Sequence, residues 1–265
     1  MTSTIEHAAF PGHKAAPGGR RSSAAENGNH RSRLSTRFAS ATVVGVLLGA
    51  SMASAVVAKE PIPCKPEVWA EAIAKFEKED KKMPPPKQGV LFLGSSSIRG
   101  WDVKKWFPDM LVVNRGFGGS QICHSTHYAD RIVNIHEPRV VVFYAGDNDI
   151  SAGKTPEQVR DDFREFVEKV RGPQPELPIV FISIKPSIAR WKLADKIREA
   201  NRLIKDDLEE LGNIEYLDVW PAMLDEQGEP RKDIFVGDGL HLNDAGYKIW
   251  TELVTPLVSE KKSGE

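Results

Sequence analysis

The sequence is short of charge imbalance, cysteine and histidine, and each shortage narrows what the chain does. Its 265 residues hold 36 basic and 37 acidic side chains, a formal net charge of −1. Such a balance leaves no electrostatic footprint for nucleic acid. What imbalance exists lies at the start, where residues 1–58 carry Lys14, Arg20, Arg21, Arg31, Arg33 and Arg37 against Glu6 and Glu26 alone. Two cysteines, Cys64 and Cys123, permit one bridge if the chain is exported. Unpaired thiols are the favoured expectation. Of seven histidines only His241 follows His136, so the C-terminal half offers one candidate base. No internal repeat is visible. A hydrophobic share of 40% is enough for a full core without disulfide or metal staples.

A long stretch without charge occurs at Phe38–Ala58, directly after Arg31, Arg33 and Arg37. A basic flank, an apolar centre at Val43–Leu48 and the small-residue run Ala53-Ser54-Ala55 match a secretory signal. An uncleaved membrane anchor is the competing reading, since the stretch is about long enough to span a bilayer. Arg20-Arg21 is not followed by the apolar residues of a twin-arginine signal. The chain therefore divides into a disordered basic region at 1–37, a signal peptide or anchor at 38–58, a helix and Pro-rich linker at 59–87, and a main domain at 88–260. The expected location is outside the cytosol, and membrane contact is expected only through 38–58 if that segment is uncleaved.

From Pro66 onward helical patterns alternate with short apolar runs. Helices are expected at Val68–Lys82, Ile122–Ile135, Pro156–Val170 with Thr155 as N-cap, Ala189–Leu211, and from Asn243 or Asp244 to Val258. Strands are expected at Val90–Leu93, Leu111–Val113, Val140–Tyr144, Ile179–Ile182 and Ile214–Leu217. Continuous apolar strands alternating with helices imply a parallel sheet covered on both faces. The expected fold is an α/β/α three-layer sandwich around a five-stranded parallel sheet, flavodoxin-like. Active sites of such sheets lie beyond the carboxyl ends of the strands.

Four segments occupy those ends. Gly94-Ser95-Ser96-Ser97 follows the first strand, and a Gly there permits a sharp turn that presents a serine. Asn114-Arg115-Gly116-Phe117-Gly118-Gly119 follows the second, where glycines let a backbone N–H approach a substrate. Gly146-Asp147-Asn148-Asp149 follows the third. Asp238-Gly239-Leu240-His241 comes after the fifth, and its spacing lets the carboxylate reach the Nδ1–H of the imidazole and leave Nε2 as proton acceptor. His124, His127 and Asp130 share a helix face and admit a metal-site reading. No further ligand cluster is evident in the sequence, so polar helix residues beside the site mouth are preferred.

Taken in order, these segments resemble the four blocks of the SGNH/GDSL hydrolase superfamily over roughly residues 88–258. The resemblance implies Ser96 as nucleophile, in register with Gly94 and Trp101, with His241 as base and Asp238 as its partner. It implies an oxyanion hole from the N–H groups of Ser96 and Gly119 and the Asn148 amide. The family's commonest first block has Asp before the nucleophile, and Ser95 stands there instead. The implied reaction is hydrolysis of carboxylic esters through an acyl-enzyme, with no metal and no organic cofactor. Acyl transfer, lysophospholipid hydrolysis and a catalytically silent binding domain are the alternatives. The expected substrate is a small ester or acetylated carbohydrate with a short acyl group, because no apolar insertion is available as a lid. Arg99, Trp101, Arg190 and Trp191 are candidate substrate contacts, with Arg115 and Lys185 as further cations near the site.

Overall fold

The computed structural model describes residues 63–259. The expectations for residues 1–37 and 38–58 lie outside the described residues. In chain order the elements are α1 (Ala70–Lys82), β1 (Val90–Gly94), α2 (Ser96–Arg99), α3 (Val103–Trp106), β2 (Val112–Gly116), α4 (Ile122–Ile132), β3 (Val140–Tyr144), α5 (Asp147–Ser151), α6 (Pro156–Arg171), β4 (Ile179–Ile182), α7 (Ala194–Leu211), β5 (Ile214–Leu217), α8 (Trp220–Met223) and α9 (Asp244–Val258).

All strand pairs are parallel, in the order β2-β1-β3-β4-β5. Although the strands read as unbroken apolar runs, their side chains alternate between two cores. Leu91, Leu93, Val141, Phe143, Ile179 and Phe181 face a layer that includes Ile73 of α1, Ile122 of α4, Phe163 of α6 and Ile197 of α7. Val90, Phe92, Val140, Val142, Val180 and Ile182 face Ile98 of α2, Val103 of α3, Met223 of α8 and Trp250 of α9. Each fully buried Val, Leu, Ile or Phe contributes about 1.5–3 kcal/mol, so two filled cores fix which face each residue takes. The three-layer flavodoxin-like sandwich is the observed fold.

Local chemistry sets several boundaries. Thr155 accepts from the N–H of Gln158 while the Gln158 side chain accepts from the Thr155 N–H, a reciprocal cap before Pro156. Asn243 caps α9 by accepting from the Gly246 N–H at 3.1 Å. β2 extends past its apolar residues because Asn114, Arg115 and Gly116 stay in register with Phe92, Leu93 and Gly94. The helix expected from Ala189 starts instead at Ala194, after a 3₁₀ turn at Trp191–Leu193; the Ala189 N–H donates to the Gly239 carbonyl at 3.0 Å. Ile135 lies outside α4, whose last turn gives way to a short 3₁₀ turn at Asn134–His136.

Cys64 and Cys123 form a disulfide with Cα atoms 6.1 Å apart, which corrects the expectation of free thiols. Strand and helix periodicity carries no information about this pair, whose closeness arises from docking of the N-terminal segment on α4. That docking also uses Trp69, whose Nε1 donates to His124 Nδ1 at 3.1 Å, and Tyr128, whose hydroxyl donates to the Pro66 carbonyl. Closing a loop of 59 residues' separation stabilises the fold by about 4 kcal/mol in the chain-entropy account.

Candidate active site

β1 sits between β2 and β3, and the chain leaves it first toward one neighbour and then toward the other. That is the switch point of the sheet, where the strand ends part and a crevice opens. Ser96 lies at the end of β1 and Asn148 just beyond β3.

The turn that presents Ser96 depends on Gly94, whose φ of +142° is open to glycine and whose ideal Cβ would overlap the Tyr144 carbonyl oxygen. Of the three consecutive serines only Ser96 is partly exposed, since Ser95 and Ser97 are buried. The α2 turn is clamped from two sides. Asn114 Nδ2 donates to the carbonyls of Ile98 and Trp101 at 2.7 and 3.0 Å, and the Tyr247 hydroxyl donates to the Ser97 carbonyl at 2.9 Å. Trp101, expected to contact substrate, is 1% exposed and stacks on Tyr247 within the core against Phe92, Phe107 and Trp250. Its size and hydrophobicity favour burial behind the serine turn, so it braces that turn from the core side.

His241 Nε2 stands 2.9 Å from Ser96 Oγ, and its Nδ1 stands 2.6 Å from Asp238 Oδ2. The other carboxylate oxygen of Asp238 accepts the backbone N–H groups of Leu240 and His241 at 2.8 and 2.9 Å. Hydrogen bonds from the His241 ring and these two N–H groups hold the Asp238 carboxyl far below the usual carboxylate range. Asp238 therefore meets His241 as a carboxylate, an acceptor that places a ring proton on Nδ1. The side chains of His241 and Asp238 are 37% and 47% exposed, so the crevice is open to solvent above them.

Gly119 and Asn148 follow β2 and β3, the strands on either side of β1. Gly119 has φ +77°, and its N–H makes no hydrogen bond among the described residues. Asn148 Nδ2 donates to the Ser120 carbonyl at 2.9 Å, which ties it to the same loop and leaves its second N–H uncommitted. Asn148 Oδ1 accepts from Arg190 Nη2 at 2.8 Å, and Arg190 Nη1 lies 2.8 Å from Asp147 Oδ2. Asp149, fully buried, accepts the Ile122 N–H and the Lys154 ammonium, fastening the start of α4 to α5. The loop carrying Gly119 and the helix carrying Asn148 are thus joined by two independent contacts.

The remaining cations separate into different roles. Arg115 is buried, paired with Asp80 and set over the Phe76 ring. Lys185 is 1% exposed, 3.7 Å from Asp147 and 3.3 Å from the Tyr144 hydroxyl, and burial pushes its ammonium below the usual range. Neither reaches solvent to meet a substrate. Arg99 is exposed beside the Gly118 backbone, with no ionic partner among the described residues. Trp191 packs on Trp220 and under Arg198.

His124 accepts at Nδ1 from Trp69 and from the Gln121 N–H, and burial pushes its imidazole down to about 4. Asp130 pairs with Lys169 and accepts from Asn134 at 2.9 Å. These contacts engage His124 Nδ1 and both Asp130 carboxylate oxygens within the protein. A residue that sequence reasoning missed is Trp69, whose Cη2 lies 3.2 Å from where a Cβ on Gly119 would be. It precedes the first block, and no spacing signal connects it to a loop fifty residues onward. A cavity of about 850 Å³ opens elsewhere, at the free edge of β2 between Glu79–Pro86 and Trp101–Arg115, and none of Ser96, Gly119, Asn148, Asp238 or His241 lines it.

Comparison with known proteins bears on the family and the fold. The model of the GDSL-like Lipase/Acylhydrolase family matches residues 92–249. The platelet-activating factor acetylhydrolase IB subunit alpha2 of Rattus norvegicus is 27% identical over 183 residues, covering 64% of this chain and 78% of the rat protein. Among solved structures, a putative platelet activating factor from Streptococcus pneumonia superposes with TM-score 0.65 at 20% identity, over 71% of this chain and 92% of that one. A GDSL-like lipase from Bacteroides thetaiotaomicron gives TM-score 0.60 at 18% identity, over 70% and 96%.

Proposed function

Because the chain belongs to the GDSL-like lipase/acylhydrolase family and is a carboxylic ester hydrolase, we propose that it cleaves short-chain acyl esters through a Ser96–His241–Asp238 triad. The observation that carries the triad is the unbroken run from Ser96 Oγ through His241 to Asp238, with contacts of 2.9 and 2.6 Å. His241 Nε2 takes the proton of Ser96 Oγ as that oxygen attacks the ester carbonyl, while Asp238 stabilises the imidazolium. The carbonyl oxygen becomes an oxyanion met by the N–H groups of Gly119 and Ser96 and by the free Asn148 N–H. Collapse breaks the bond to the leaving alcohol, which receives the proton from His241. The acyl-Ser96 ester is then attacked by water through the same base, releasing the acid and restoring Ser96.

Two observations support a short acyl group. The indole of Trp69 stands beside Gly119, its Cη2 3.2 Å from where a Cβ there would be, and bounds the space next to that donor. The rat relative is named as an acetylhydrolase. Each methylene buried in an accommodating pocket contributes about 0.8 kcal/mol, roughly a fourfold gain in kcat/KM. Across aryl esters from acetyl to octanoyl we expect the opposite trend, with acetyl or propionyl best and a steep fall beyond butyryl. A flat or rising series would reject the short-acyl reading and leave the triad standing. Release of free acid with no added acceptor distinguishes hydrolysis from acyl transfer.

Export belongs to the same proposal. A disulfide persists in oxidising compartments, and Cys64–Cys123 supports placing the folded body there. N-terminal sequencing of exported protein is expected to begin between roughly Val56 and Lys59, after Ala53-Ser54-Ala55. Protein found intact and only in the cytosol would sink this expectation.

A further inference from the structure

We propose that Arg190 is a positioning residue that selects which end of the Asn148 amide faces the reacting carbonyl. The inference rests on the reading of Asn148 as an oxyanion donor. A primary amide has one donor end and one acceptor end of nearly equal shape, so only its hydrogen bonds determine its orientation. If the amide turned over, Oδ1 would face the developing oxyanion and repel it.

Two contacts oppose that rotation. The Ser120 carbonyl, an acceptor only, holds Nδ2 at 2.9 Å. Arg190, a donor only, holds Oδ1 at 2.8 Å. Rotation would set carbonyl against carbonyl and N–H against guanidinium, so each contact reinforces the other. Arg190 Nη1 also makes an ion pair with Asp147 Oδ2 at 2.8 Å, and its side chain is 16% exposed. One planar guanidinium thus spans the side chains of two consecutive residues at the start of α5, a geometry a single ammonium does not reproduce.

The same stretch touches the base. The Ala189 N–H donates to the Gly239 carbonyl at 3.0 Å, and Ile188 packs where a Cβ on Gly239 would lie, at 3.0 Å. Gly239 stands between Asp238 and His241. Residues 188–190 therefore join the loop of the base to the donor across the crevice.

The test is a double-mutant cycle on kcat, normalised by active-site titration with a fluorophosphonate so that loss of folded protein does not count. Arg190→Met is expected to lower kcat by about 10- to 100-fold with KM little changed, less than the ~10²–10³ expected for Asn148→Ala. Arg190→Lys keeps a cation beside Asp147 but loses the fork, and it is expected to fall nearly as far as Arg190→Met. In the Asn148→Ala background, adding Arg190→Met is expected to change kcat by less than about threefold, since the two residues act as one unit. Equal losses from Arg190→Met in both backgrounds would overturn the proposal, as would full activity in Arg190→Lys. Normal kcat in Arg190→Met beside a slow Asn148→Ala would overturn the positioning role alone. Normal kcat in Asn148→Ala would overturn the oxyanion reading and the proposal with it.

Discussion

Ser96→Ala is expected to lower kcat by about 10⁵-fold or more, leaving only the residual rate that oxyanion donors and binding sustain. The change removes one oxygen from a partly exposed position, so the melting temperature should hardly move. Its neighbours supply the control. Ser95 and Ser97 are 0% and 1% exposed, and neither hydroxyl contacts His241. Ser95→Ala and Ser97→Ala are expected to keep both turnover and labelling by a fluorophosphonate, while Ser96→Ala loses both. Labelling that survives in Ser96→Ala would overturn the assignment of the nucleophile.

That assignment shows how far the sequence reaches. The strands at Val140–Tyr144 and Ile179–Ile182 have the expected bounds, because a buried parallel strand is a short apolar run between breakers, and the half-buried edge strand Ile214–Leu217 has them too. Ser96, Asp238 and His241 were readable because loop blocks keep fixed local spacing around them. What stayed hidden depends on tertiary contact. The helices α2, α3, α5 and α8 have only four or five residues each, too few to show a period. Trp101 resembles an exposed aromatic in a strand-end block, yet core space behind the serine turn claims it. Arg190 follows β4, which makes it a candidate substrate contact in the sequence; its partners Asp147 and Asn148 come from another strand end, and no spacing along the chain reveals that meeting. The Cys64–Cys123 disulfide and Trp69 share the same cause, since both depend on how the N-terminal segment docks on α4.

Asp238→Asn is expected to cost about 10⁴ in kcat, although it keeps size and nearly all of the geometry. The direction follows from which atoms the carboxylate faces. Asp238 Oδ1 accepts two backbone N–H groups, from Leu240 and His241, and an asparagine must place its carbonyl oxygen there to keep them. Its NH₂ group then faces His241 Nδ1, where Asp238 Oδ2 now stands at 2.6 Å. A donor at that point forces Nδ1 to become the acceptor and moves the ring proton to Nε2, toward Ser96 Oγ. In that tautomer Nε2 has no lone pair to receive the serine proton, and the chain of transfer stops at its first link. Hydrogen bonding holds the Asp238 carboxyl far below its ordinary range, so in the unchanged protein a carboxylate, not a donor, faces His241 Nδ1. An Asp238→Asn variant within tenfold of the unchanged enzyme would remove Asp238 from the role given to it.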